Sequence, residues 1–237
     1  SPTKRLGCNL KTPNFVHLRQ SGVSVLVSIT EDLTQVLHWG EDLGLQADYQ
    51  DYLLSTREPS AHAETDFPVE PGIWREHARA FTGAPVVVGH RSGEDFAPLF
   101  SLKDYSFSET ELLVTGQDAA AGLEIETRFS FLGSGVLEIS TKLLNLGATE
   151  YVLNDLSNYM PLPDRAQQSM DFAGRWVKER QPVSREIQPG IVSREVREGR
   201  TGHDYTILQL AMSKGANFRS GEIWSFGLLF SGNSKHT

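Results

Sequence analysis

A single cysteine, Cys8, stands in 237 residues, so the chain can close no disulfide within itself and a reducing compartment is the expected setting. No apolar run approaches the roughly 18 residues that a membrane-spanning helix needs. The opening S-P-T-K-R-L-G-C-N-L lacks the apolar core of a secretion signal. The cytoplasm is therefore the expected location, with no membrane partner. Positive charge is short as well: 22 Lys and Arg face 30 Asp and Glu, a net charge of −8. That balance argues against a nucleic-acid partner, whose binding depends on basic side chains displacing condensed counterions.

Catalytic and cofactor signatures are missing too. The chain has no Gly-rich phosphate loop, no G-x-S-x-G elbow and no His/Cys cluster with zinc spacing. Its seven histidines include no pair at the i, i+4 spacing of helical metal sites. Asp48 and Asp51 lack the alternating oxygen ligands and glycine of a calcium loop. No metal, cofactor or catalytic residue is assigned.

What is present reads as strands and turns. Hydrophobic residues make up 39% of the chain, with 21 Gly and 11 Pro, which suits a turn-rich all-β domain of this length. Val23 to Ile29 alternates V-S-V-L-V-S-I and predicts a strand, and Val36 to Gly40 predicts its hairpin partner. Glu41 to Glu70 carries eight acidic residues against the one base Arg57 and reads as an irregular, solvated segment. Ile73 to Phe81 has near-helical spacing and predicts two helical turns, with Trp74 and Arg75 either exposed or anchoring a loop to the core.

Glu111 to Gly116, Gly122 to Leu132, Gly135 to Leu146 and Glu150 to Met160 follow as strands with hairpin-sized gaps. Leu123, Ile125, Thr127, Phe129 and Phe131 alternate with polar residues, which implies one buried and one wet face. Phe172 to Arg180, Ile207 to Met212 and Glu222 to Phe230 predict the last strands. With no amphipathic helix between them, the fold class expected is all-β, a large antiparallel two-sheet sandwich with few short helices.

The stretch from Asp171 to Asn233 is the most informative. Residues 174 to 204 hold seven basic and five acidic side chains, a local +2 in an acidic chain. Interleaved Arg and Glu suit neighbouring strands that pair opposite charges. Gly174, Gly199 and Gly202 stand beside Trp176, His203 and Asp204, where glycines permit sharp turns or close approach.

The runs Gly174 to Arg180, Arg197 to His203 and Gly221 to Asn233 resemble, in order and spacing, the closing part of the N-terminal domain of α-galactosidases of glycoside hydrolase family 36. Its corresponding runs are G-x-W-x-R-E-R, R-G-x-(S/T)-(S/G)-H and G-E-x-W-x-x-x-L-x-(Y/F)-S-G-N. His38-Trp39-Gly40, Thr65-Asp66-Phe67 and Gly89-His90-Arg91 are similar to further family segments. Two departures stand out: Asp204-Tyr205-Thr206 follows His203 where many members have Asn-Pro-Phe, and Pro68 follows Phe67 where members often have Arg.

The resemblance implies a supersandwich similar to that of galactose mutarotase, here as residues 1–237 of a longer enzyme whose catalytic barrel is absent. It implies retaining hydrolysis of terminal α-galactosides by two aspartates on that barrel, the nucleophile within a K-W-D-x-N-R run. None of the four tryptophans here is followed by Asp, so this stretch alone is expected to be inactive. Implied partners are a galactoside substrate, the barrel of the same or a neighbouring chain, and further copies in a homo-oligomer. Asp66, Trp74, His90 and Arg91 are the substrate-side candidates, and Trp176, Arg180, Arg200 and His203 the structural or interface candidates. Two other readings stand beside this one: a stand-alone carbohydrate-binding module using Trp74 or Trp39, and a mutarotase-like enzyme.

Overall fold

A computed structural model of the chain describes residues 13–56, 70–204 and 207–237. The chain divides into two compact units, Ser1–Met160 and Pro161–Thr237.

The first unit opens with β1 (Asn14–Gln20), β2 (Val23–Ile29) and β3 (Thr34–Glu41), an antiparallel sheet with β2 in the middle. Ser21 and Gly22 both take positive φ, 52° and 80°, the backbone that a two-residue hairpin between right-twisted strands requires. From Ser24 to Ile29 every residue of β2 is buried, the serines included. The V-S-V alternation therefore marks a covered central strand, with both faces packed, and not a half-wet one.

After a short helix α1 (Gln50–Ser55) the chain forms β4 (Val87–His90), β5 (Ser101–Phe107), β6 (Glu111–Asp118), β7 (Leu123–Leu132), β8 (Val136–Asn145) and β9 (Val152–Leu156). Strands β5 to β8 make a four-stranded antiparallel meander, and β4 pairs with β9. Val16, Leu18, Val25 and Val27 of the first sheet share one core with Leu112, Val114, Ile125 and Phe129 of the meander. These two sheets are the layers of the sandwich in this unit. The other face of the meander carries cross-strand ion pairs: Lys103 with Glu124, Arg128 with Glu111 at 3.2 Å, and Lys142 with Glu126 at 3.6 Å.

The second unit contains β10 (Ala166–Arg175), β11 (Lys178–Glu186), β12 (Arg194–Val196), β13 (Leu208–Ser213), β14 (Ile223–Gly227) and β15 (Ser234–His236). Its main sheet runs β11-β10-β13-β14, and β12 pairs with β15. All pairings are antiparallel, as expected, and the strands hydrogen-bond as five sheets.

Three of the segments read from the sequence differ from expectation. Helix α1, with Leu53 buried, forms inside the Glu41 to Glu70 stretch that reads as irregular and solvated. Ile73 to Phe81 forms only a 3-10 turn at His77–Arg79, which Ala80 ends in the left-handed region at φ 62°. Burial explains this: the Trp74 indole and the Glu76 carboxyl are both anchored inside the fold, and anchoring overrides a weak helical spacing. Phe172 to Arg180 is a hairpin and not a single strand. Trp176 and Val177 form its turn, and Arg175 pairs with Lys178 across it.

Candidate functional site

In the first unit the Gly89-His90-Arg91 segment ends β4 and turns through Ser92 and Gly93, both at positive φ. The Arg91 guanidinium spends its donors on the protein itself. Nε donates to Asp95 Oδ2 at 3.1 Å, Nη1 to the Thr149 carbonyl and to its Oγ1 at 3.1 Å, and Nη2 to the Ala121 carbonyl and Asn145 Oδ1 at 3.0 Å each. It therefore ties three turns together, and any contribution to a ligand runs through their placement. His90 Nδ1 accepts the Gly93 N–H at 3.2 Å, and the residue is half-buried.

Trp74 is 7% exposed, so of the two placements its sequence allows, the ring takes the buried one. Its Nε1 donates to Thr127 Oγ1 at 3.0 Å, and the ring packs edge-on against Phe100. Gly116 on β6 makes the space: a Cβ there would lie 2.5 Å from the indole. Thr127 in turn meets Thr141 at 2.9 Å, and Thr141 donates to Asn158 Oδ1 at 2.6 Å, which links the long segment to three further elements of the unit. Trp74 thus anchors the chain to the core, the second role its sequence allowed.

Its neighbours were less legible. The Arg75 guanidinium stacks on Tyr159 at 3.1 Å from the ring centre and lies 4.9 Å from Phe81, and burial pulls its pKa below the usual value. Glu76 is buried at 5% exposure, accepting the Phe100 N–H at 2.6 Å and Arg79 Nε at 2.7 Å. Burial pushes the Glu76 carboxyl up despite those two donors. Asp66 lies outside the described residues.

In the second unit the three motif runs converge. Trp176, at the tip of the β10–β11 hairpin, meets His203 edge-on, ring centres 5.2 Å apart. Glu179 Oε1 accepts the Val177 N–H at 2.9 Å and lies 3.5 Å from His203 Nδ1. Asn233 Oδ1 accepts the Gly199 N–H at 3.0 Å, which joins the third run to the second. Gly174 is required by close approach: a Cβ would stand 2.4 Å from the Lys178 carbonyl and 2.8 Å from the His203 carbonyl. Arg180, at φ 55°, and Arg200 are exposed.

Below this tip, Asp171 of β10 is buried and accepts from Arg194 Nε at 2.7 Å and Arg185 Nη1 at 3.1 Å. Burial by itself would push its carboxyl up, but the two arginines outweigh it and hold the carboxyl below the usual range. The alternating charges of the sequence announced cross-strand pairing; the convergence of two arginines on one aspartate was not readable from spacing, because the partners lie 14 and 23 residues away.

Among the described residues no group of three or more His, Cys, Asp or Glu is arranged to hold a metal ion. No helix among them is long and apolar enough to cross a membrane.

Comparison with known proteins agrees with the all-β fold. The sequence profile of the glycosyl hydrolase family 36 N-terminal domain matches residues 32–237. An α-galactosidase of Escherichia coli is 28% identical over 228 residues, 96% of this chain and 31% of that protein. The solved α-galactosidase of Lactobacillus brevis superposes with a TM-score of 0.81 at 16% identity, over 95% of this chain and 34% of that one. A variant of the α-galactosidase AgaA from Geobacillus stearothermophilus, solved in complex with raffinose, gives 0.79 at 17% identity over 94% of this chain and 35% of that one. The chain thus spans about a third of the length of these relatives. It belongs to the glycosyl hydrolase family 36 N-terminal domain family.

Proposed function

We propose that this chain serves as the non-catalytic N-terminal β-sandwich domain of an α-galactosidase that hydrolyses terminal α-D-galactosyl residues of galacto-oligosaccharides with retention. The observation that carries the reading is the similarity to an α-galactosidase along 96% of the chain, which takes up only 31% of that relative. The whole of 1–237 then belongs to one N-terminal domain, and a catalytic barrel lies elsewhere in the parent polypeptide. The domain's work is to support that barrel, to help assemble a homo-oligomer, and to lend a loop to the substrate site. Asp66 and the half-buried His90 are the loop candidates, with Arg91 and Trp74 holding the surrounding turns. The arginine-rich face with Arg180 and Arg200 is the interface candidate, and the cytoplasm is the proposed compartment.

Two measurements test this. The coding sequence read beyond the codon for Thr237 should continue into a K-W-D-x-N-R run; a stop codon there overturns the reading. The purified 237-residue chain should leave aryl α-galactosides unhydrolysed, and turnover that persists through purification overturns the non-catalytic assignment.

A further inference from the structure

The four tryptophans divide sharply. Trp74 and Trp224 are buried, and Trp39 packs against the core of the first unit. Trp176 is 74% exposed, and Val177 beside it 77%. An indole so exposed is unusual for a soluble domain and marks a contact site more often than a packing residue. The turn that carries it is not slack. Val177 sits at φ 70°, where a β-branched residue is a genuine outlier. Such backbone persists only where the surroundings over-determine it, and such sites cluster at ligand clamps. Here the restraints are visible: the Glu179 carboxylate holds the Val177 N–H, the His203 ring flanks the indole, and Gly174 lets the hairpin press onto the His203 backbone.

We propose that the β10–β11 hairpin tip is a saccharide-binding site in which the open face of Trp176 stacks on a sugar ring, while Glu179 and His203 exchange hydrogen bonds with its hydroxyls. A sugar ring combines a flat C–H face with a rim of hydroxyls, and so matches both an indole and its polar flank. The rigid turn fixes the indole before the ligand arrives, which lowers the ordering cost of binding. The tip also moves the binding-module reading away from Trp74 and Trp39, whose rings are committed to the core. The choice of a galactosyl sugar rests on the α-galactosidase reading; the existence of a saccharide site does not.

The test is titration of the 237-residue chain with raffinose and, separately, with sucrose, followed by tryptophan emission and calorimetry. Raffinose should give a saturable emission shift, with sucrose weaker by about tenfold or more. Trp176→Ala should weaken raffinose binding by about tenfold or more with an unchanged far-UV spectrum, and Trp176→Tyr, which keeps a stacking face, should recover part of it. No binding of either sugar, or binding indifferent to Trp176→Ala, overturns the site and leaves the domain assignment standing. Equal binding of both sugars overturns the galactosyl preference. If Trp176→Ala changes only the association state of the chain, the tip is a protein contact and the proposal fails.

Discussion

Two buried carboxyl groups respond to pH in opposite directions. Asp171 titrates below its usual value of 3.8, so the unfolded chain takes up the proton first as pH falls. Its contribution is complete above 3.8 and disappears as pH falls through the folded-state value. Asp171→Asn should therefore cost about 3 kcal/mol at neutral pH, the low end for a broken buried pair because Arg185 and Arg194 keep partial solvent contact. Urea denaturation at pH 7 checks the cost, and the gap to the parent protein should narrow below pH 3.8. Glu76 has the reverse sign: its folded-state pKa lies above 4.5, so its contribution is present below 4.5 and lost as pH rises through the folded value. The fold carries that cost at neutral pH because Glu76 satisfies the buried Phe100 N–H. Trp74 is the corresponding apolar test. Trp74→Ala should lose about 3–5 kcal/mol for the cavity it leaves and the lost hydrogen bond to the Thr127 hydroxyl, which keeps Thr141 as a partner, measured by the same denaturation.

At the level of elements, the β10–β11 hairpin concentrates the strain. Gly174→Ala places a methyl against the Lys178 carbonyl, at a separation that forces the backbone apart. It should destabilise by about 1–3 kcal/mol and speed amide exchange along both strands. Val177→Gly should do the opposite within the same turn, raising stability by up to about 1 kcal/mol as the positive φ is relieved. Thermal melts of the two variants give the comparison, and equal loss in both would contradict the account of the turn. The same hairpin shows where sequence reading misleads: Phe172 to Arg180 reads as a single strand because the strand-favouring Trp176 and Val177 occupy the tip, yet a tight two-residue turn forms there because its neighbours brace it.

Across the whole molecule, protection should follow burial. Strand β2, with six consecutive buried residues, and β6 and β7, whose Leu112, Val114, Leu123, Ile125 and Phe129 are at most 1% exposed, should hold the slowest-exchanging amides. Strand β11, exposed along most of its length on a sheet edge, should exchange early. Mass-spectrometric hydrogen exchange on the intact chain decides this, and uniform protection would refute it.

The sequence by itself determined the all-β class, strands β6 to β8 of the meander and the pairing of β2 with β3, because alternation at period two and hairpin-sized gaps are local properties. It also carried the three motif runs whose order identified the family. Only the tertiary structure decided which side chains meet. The packing of Trp74 against Gly116 and Phe100, the reach of Arg91 to Ala121, Asn145 and Thr149, and the meeting of Trp176 with His203 all join residues 26 or more positions apart. Burial and partner choice arise from chain reversal and sheet stacking, and a one-dimensional pattern does not encode which reversal brings which face to which neighbour. Strands β12 and β15 make the same point, since three residues at either end carry no periodicity of their own and become strands only by pairing with each other.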